Sequence, residues 1–297
     1  MILLNKPRDS DIHTLADFAE LLCLVTQDRS CSRETISDQI KDVGDSNISE
    51  SALDDCFSHL EWRAQSFLGF YPFTLDSGSK NLSAPEELDE AYNLYILLLL
   101  CANLPFLEDR SNITDTFERV SLMALEKSWP TGSSVLPFGK NETTYAGTKV
   151  ERINKLAGDL GGLGLCNEQT FRRGDSGDGG IDLVAWMGLD KYESRNIPSA
   201  LAQCACSREE WVKKQTEISR DRLNSMIHPT HPWMQLIFIP HCFRNNHGSW
   251  AFDGEVAANI VYDRLRIIDR IGGTLDWNLV APPPLFSEFL AKRLDLV

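Results

Sequence analysis

Apolar positions recur at helical spacing through the first half of the chain. Ile12, Leu15, Phe18, Leu21 and Leu22 share one face of a segment from Asp11 to about Gln27, with Ser10 placed to cap it. Asn47 to Leu68 repeats the pattern through Leu53, Phe57, Leu60, Ala64 and Phe67. Pro85, Glu86 and Glu87 have the form of a first helical turn, because proline fits there and the helix dipole favours acids. That helix would carry the apolar run Leu94 to Leu104, buried on most sides. A further helix runs from Thr114 to Lys127. Trp129 to Thr144, rich in proline, glycine and serine, reads as a domain boundary.

The period changes in the second half. Lys149 to Asp159 is helical in pattern, with Val150, Ile153, Leu156 and Ala157 on one side, and a turn follows at Gly161, Gly162 and Gly164. Ile181 to Trp186, Ala200 to Ala205 and Gln235 to Ile239 read as strands. Ser207 to Glu210 forms a capping-box signature for a helix reaching about Met226, and Glu255 to Ile271 reads as a closing amphipathic helix. The expectation is a helical domain over 1–140 joined to an α+β domain over 141–297, a mixed sheet flanked by helices.

Composition narrows the class. The 297 residues are 42% apolar and 24% charged, ordinary for a chain that buries a core. The Leu94–Leu104 run is about half the ~20 residues of a membrane span. The N-terminus lacks the basic-then-apolar order of a signal peptide, and the eight cysteines form no CxxC pair. A cytoplasmic protein without membrane contact is expected. The net charge of −14 lies mostly in residues 1–140, which hold 11 Lys and Arg against 23 Asp and Glu. Such a surface repels phosphates, so that half is expected to dock a protein.

The segment richest in candidate chemistry is Gly174-Asp175-Ser176-Gly177-Asp178-Gly179-Gly180-Ile181-Asp182, followed by Gln203-Cys204. Asp182 interrupts an apolar strand, a costly place for a carboxylate unless a cation or donor meets it. Gln203 interrupts the strand expected to pair with it. In the right register the two converge, and Glu151 on the preceding helix is a third candidate oxygen. Oxygen donors suit Mg²⁺. Alternatively, Asp182 caps a turn or pairs with an arginine, and Asp175 and Asp178 are simple turn formers.

A helical Glu, then Gly-Asp-Gly-Gly-Ile-Asp, then a strand with Gln-Cys resembles the restriction-endonuclease-like PD-(D/E)xK nucleases, in particular the Mrr-like branch with Gln in its third motif. The resemblance covers about residues 148–271. It implies a Mg²⁺- or Mn²⁺-dependent DNA endonuclease, and by extension the effector subunit of a bacterial anti-phage defence system. It implies Asp182, Gln203, Glu151 and the Cys204 carbonyl as metal ligands, with DNA as substrate. An ATPase or helicase partner held by the acidic half and a homo-oligomer fit the same picture.

One position departs from that pattern: the family's lysine falls on Ala205. A lysine displaced to the next helix would be Lys214 or Lys213. Lys214 is preferred because it shares a helix face with Trp211. The alternative is an inactive nuclease-fold scaffold in a larger DNA-processing complex. Three weaker motifs remain. Gly174–Gly177 echoes a serine-protease loop, Asp175, Asp178 and Asp182 echo part of a calcium loop, and Cys204, Cys206, His241, Cys242 and His247 could form a zinc site of non-standard spacing.

Overall fold

The computed structural model describes residues 6–7, 10–41, 48–76, 78, 80–104, 111–139, 144–171 and 179–294. The stripe after Ser10 becomes α1 (Ile12–Val25), capped by Asp11, whose side chain accepts from Thr14 N at 3.0 Å. The strands β1 (Ser30–Ser32), β2 (Thr74–Asp76) and β3 (Asn81–Ser83) form an antiparallel sheet in the order β1-β3-β2. Two more helices, α2 (Arg33–Lys41) and α3 (Glu50–Phe67), lie between β1 and β2. The apolar run is α4 (Asn93–Ala102), buried at every position from Leu94 onward. Pro85 does not start it. A 3-10 turn at Glu90–Tyr92, capped by Asp89, leads in instead.

Backbone contacts divide the chain into two units. The second comprises Phe117–Ile239 and Gly254–Tyr262 and begins inside α5 (Ser111–Ser128). It continues through β4 (Ser134–Pro137), α6 (Lys149–Asp159), β5 (Leu163–Gly164), β6 (Leu183–Trp186), β7 (Ser199–Cys204), α7 (Trp211–Lys214), α8 (Arg220–Leu223), β8 (Ile227–His228), β9 (Met234–Phe238) and β10 (Ile260–Tyr262). The five-stranded sheet has the order β10-β9-β7-β6-β4. β4, β6 and β7 are antiparallel, and β9 and β10 join in parallel. The mixed α+β class is therefore as expected from sequence.

Val184 and Leu201 are partners across β6 and β7, and both pack into a core with Ile153, Leu156 and Ala157 of α6. Fully burying each of the valine, leucine and isoleucine side chains among these stabilises by about 1.5–3 kcal/mol. Trp233 joins the same core while its indole donates to Ile218 O at 2.9 Å. Gly161 has φ +71°, and a Cβ there would lie 1.8 Å from Ser194 O, so only glycine fits.

Two expected helices are different. The one after Ser207 is broken into α7 and α8, because Ser219 starts a new cap on Arg222 N. The start of the closing helix is instead strand β10, and α9 spans only Arg264–Ile271. With α10 (Trp277–Val280) and α11 (Pro284–Ala291), α9 belongs to the first unit, which comprises Met1–Thr116, Pro240–Asp253 and Asp263–Val297. The contact-based division thus differs from a cut at 140/141. β4 pairs with β6, which places the proline-rich boundary segment inside the second unit, and the C-terminal helices return to the first.

The first unit is organised around buried charge. Arg63 Nη1 donates to Asp17 at 2.8 Å and to Glu20 at 2.9 Å, and Arg264 Nη2 donates to Asp17 at 3.2 Å. The hydroxyls of Tyr71 and Tyr95 donate to Glu20. All four charged side chains are at most 2% exposed. Among the described residues, no helix is long and apolar enough to cross a membrane.

Candidate functional site

β6 and β7 are held in register with Leu183 opposite Ala202, and Asp182 and Gln203 are the next residues along the two strands. Asp182 N donates to Ala202 O at 3.0 Å just before the strand begins. The Asp182 carboxylate is 8% exposed and turns toward the end of β7, where Oδ2 accepts from Cys204 N at 2.6 Å. Its own carbonyl takes Phe138 N and Gly139 N at 2.6 and 3.1 Å, so the exit of β4 clamps the same residue. Arg152 of α6 braces that exit by donating to the carbonyls of Phe138 and Gly139.

A second carboxylate reaches this place from α5. A Cβ built on Gly139 would lie 3.4 Å from Glu118 Oε2 and 3.9 Å from Asp182 Oδ1, so both acids flank one backbone position. Burial pushes the Cys204 thiol well above its ordinary pKa, and the charges of Asp182 and Glu118 push it in the same direction.

The other end of Cys204 meets a cation. Lys214 of α7 is half-buried, and its Nζ donates to Cys204 O at 3.4 Å. α7 is fixed by Gln215, 1% exposed, whose side chain bonds Glu255 O at 2.7 Å and Ala257 N at 2.9 Å. Lys213 on the same helix is exposed.

Strand alternation turns Gln203 to the Leu201 side and the Cys204 side chain to the opposite side. Gln203 is 4% exposed, and its Oε1 has no hydrogen-bond partner among the described residues. A buried amide oxygen left in this way forfeits about 1–3 kcal/mol unless a cation or water meets it. Gly180, at φ +85°, brings the chain into Asp182; a Cβ there would lie 2.8 Å from Glu217 Oε2.

Of the residues singled out from sequence, the structure brings Asp182, Cys204 and Lys214 together, and Gln203 precedes Cys204 on β7. Glu151 is exposed and turned to its own helix start. Its Oε2 accepts from Thr148 N at 2.8 Å and Thr148 Oγ1 at 2.9 Å, which closes the capping box of α6 and lowers its pKa. Glu151 is thus engaged by its own helix terminus, while the acid that approaches the Gly139 position beside Asp182 is Glu118. Glu118 shares a helix face with buried Ser121, a signal present in the sequence but too common to single it out. Asp175, Ser176 and Asp178 lie outside the described residues, so the protease and calcium echoes do too.

Among the described residues, no three His, Cys, Asp or Glu side chains gather to hold a metal. The zinc grouping is therefore not formed there. A hard cation would instead draw on two carboxylates, the Gln203 amide and the Cys204 carbonyl, an all-oxygen set that suits Mg²⁺ or Mn²⁺ with several waters retained. The unpartnered Gln203 oxygen fits that use. No protein-family model, curated protein or solved structure matches the chain.

Proposed function

We propose that the chain is a Mg²⁺- or Mn²⁺-dependent phosphodiesterase acting on DNA, with its site at the end of β7. The observation that carries this reading is the convergence on Cys204. Asp182 is bonded to its N–H at 2.6 Å, Lys214 to its carbonyl at 3.4 Å, and Glu118 and Asp182 both approach the Cβ position of Gly139, at 3.4 and 3.9 Å. Asp182, Glu118, Gln203 Oε1 and the Cys204 carbonyl would hold the ion. When bound, the ion supplies Lewis-acid polarisation of a phosphoryl oxygen and a more acidic water. The rest of the chemistry belongs to the chain. Cys204 N–H and the β4 exit orient Asp182. Lys214 sets a positive charge where negative charge develops on phosphorus, and loss of one such group costs about 10²–10³ in rate. DNA as the substrate, a defence role and a helicase or ATPase docked on the acidic half are proposed from the nuclease resemblance and the charge of residues 1–140.

A second reading is an inactive scaffold. It is favoured by Ala205, fully buried where the resemblance calls for lysine. Plasmid DNA incubated with the chain and Mg²⁺ or Mn²⁺ separates the two. The enzyme reading predicts nicking that Asp182→Ala abolishes and Lys214→Ala lowers by about 10²-fold, with Lys213→Ala unchanged. Equal cutting by wild type and Asp182→Ala would remove the site, and no cutting with or without a co-purified partner would favour the scaffold.

A further inference from the structure

We propose that Lys214 is a resident counter-cation: its ammonium occupies the Cys204 carbonyl when no divalent ion is bound and vacates it when one binds. The inference rests on the metal reading above and adds an order of events to it. Cys204 is held from its N–H side by Asp182 at 2.6 Å, which keeps the carbonyl at the end of β7 beside the candidate oxygen set. Among the described residues, Lys214 Nζ donates to that carbonyl, at 3.4 Å. This is beyond the usual range of a strong N–H···O bond, so little is lost when it breaks.

The lysine is also built to move alone. Its ammonium is a compact charge on a flexible four-carbon stem. The helix beneath it is fixed by Gln215, which bonds Glu255 O and Ala257 N, while Asn259 Nδ2 donates to Gln215 O at 2.9 Å. A side-chain rotation therefore suffices, and α7 stays in place. An ammonium and a divalent ion repel one another, so they compete for one carbonyl oxygen. Binding of the ion thus expels the ammonium toward solvent, where an incoming phosphate offers it a new partner. Lys214 then reports on metal occupancy and is released for substrate only when the ion is present.

Calorimetric titration with Mn²⁺ alone tests this without any activity readout. The variants are Lys214→Met and Lys214→Gln, which remove the competing charge, Lys213→Met, which removes a charge one residue away, and Asp182→Asn. Competition predicts about tenfold tighter binding in both Lys214 variants, no change in Lys213→Met, and no site in Asp182→Asn. Unchanged or weaker binding in the Lys214 variants, or equal tightening in Lys213→Met, would overturn the counter-cation role and leave the metal site standing. Absence of Asp182-dependent binding in wild type and both Lys214 variants would overturn the metal reading itself, and this inference with it.

Discussion

The two units handle buried acids in opposite ways. In the first, Asp17 and Glu20 face Arg63 and Arg264, two negative charges against two positive, with two tyrosine hydroxyls completing the Glu20 shell. Every member is sealed from solvent, so this charge serves the core. In the second, Asp182 and Glu118 flank Gly139, the nearby ammonium is half-exposed and loosely held, and the Gln203 amide oxygen is buried with no partner among the described residues. The residue types are similar, but in the first unit two guanidiniums hold the two acids out of solvent, although Arg63 Nε and Nη2 have no hydrogen-bond partner among the described residues, whereas the second sets a half-buried lysine on the strand-end carbonyl.

The largest effect should come from dividing the chain. A fragment of residues 1–140 lacks Arg264, Pro240–Asp253 and α9–α11, all parts of the first unit, and should not fold cooperatively in urea. Folding of that fragment with a sharp transition would contradict the division. Next, Arg264→Met leaves Asp17 with one cation fewer in the core and should cost about 3–5 kcal/mol by urea denaturation. Asp182→Asn should cost about 1–2 kcal/mol while abolishing divalent binding. If the two costs are reversed, the contrast between the units is wrong.

A smaller effect is pH-dependent. His59 is pushed down to about 2, first by burial and then by the charge of Arg63 and by His13, against a weaker pull from its Nδ1 contact with Asn246 at 2.9 Å. Its folded-state pKa lies below its unfolded value near 6.5. The unfolded chain therefore binds the extra proton, and this stability is intact above about pH 6.5 and lost as pH falls from there toward 2. Between pH 6 and 5 the loss should approach about 1.4 kcal/mol, and His59→Gln should remove that slope. An unchanged slope in His59→Gln would refute it. The smallest effect belongs to the two glutamates. Glu151→Gln should lower Tm slightly without changing Mn²⁺ affinity, and Glu118→Gln should weaken Mn²⁺ binding. The reverse pattern would restore Glu151 to the site.

Much of this was legible in the sequence where a residue's neighbours in the chain decide its fate. The Leu94–Leu104 run had to be buried, the stripe of α6 had to face a core, and β6, β7 and β9 announce themselves as short apolar runs. Asp182 stood out because a carboxylate within an apolar strand needs a reason. What was hidden depends on distant partners. β4 reads as linker because Pro137 and the glycines around it are turn residues, although proline is tolerated at the end of an edge strand. Glu118 lies far from Asp182 along the chain and looks like any glutamate on an amphipathic helix. The chain's return to the first unit after β9 leaves no mark in local periodicity.

The most direct measurement of the central claim is an anomalous difference map from crystals soaked in Mn²⁺. The account predicts a peak bounded by the Asp182 and Glu118 carboxylates, Gln203 Oε1 and the Cys204 carbonyl, with the Lys214 ammonium displaced from that carbonyl. A map with no peak there, or with manganese bound only by other groups, would contradict it.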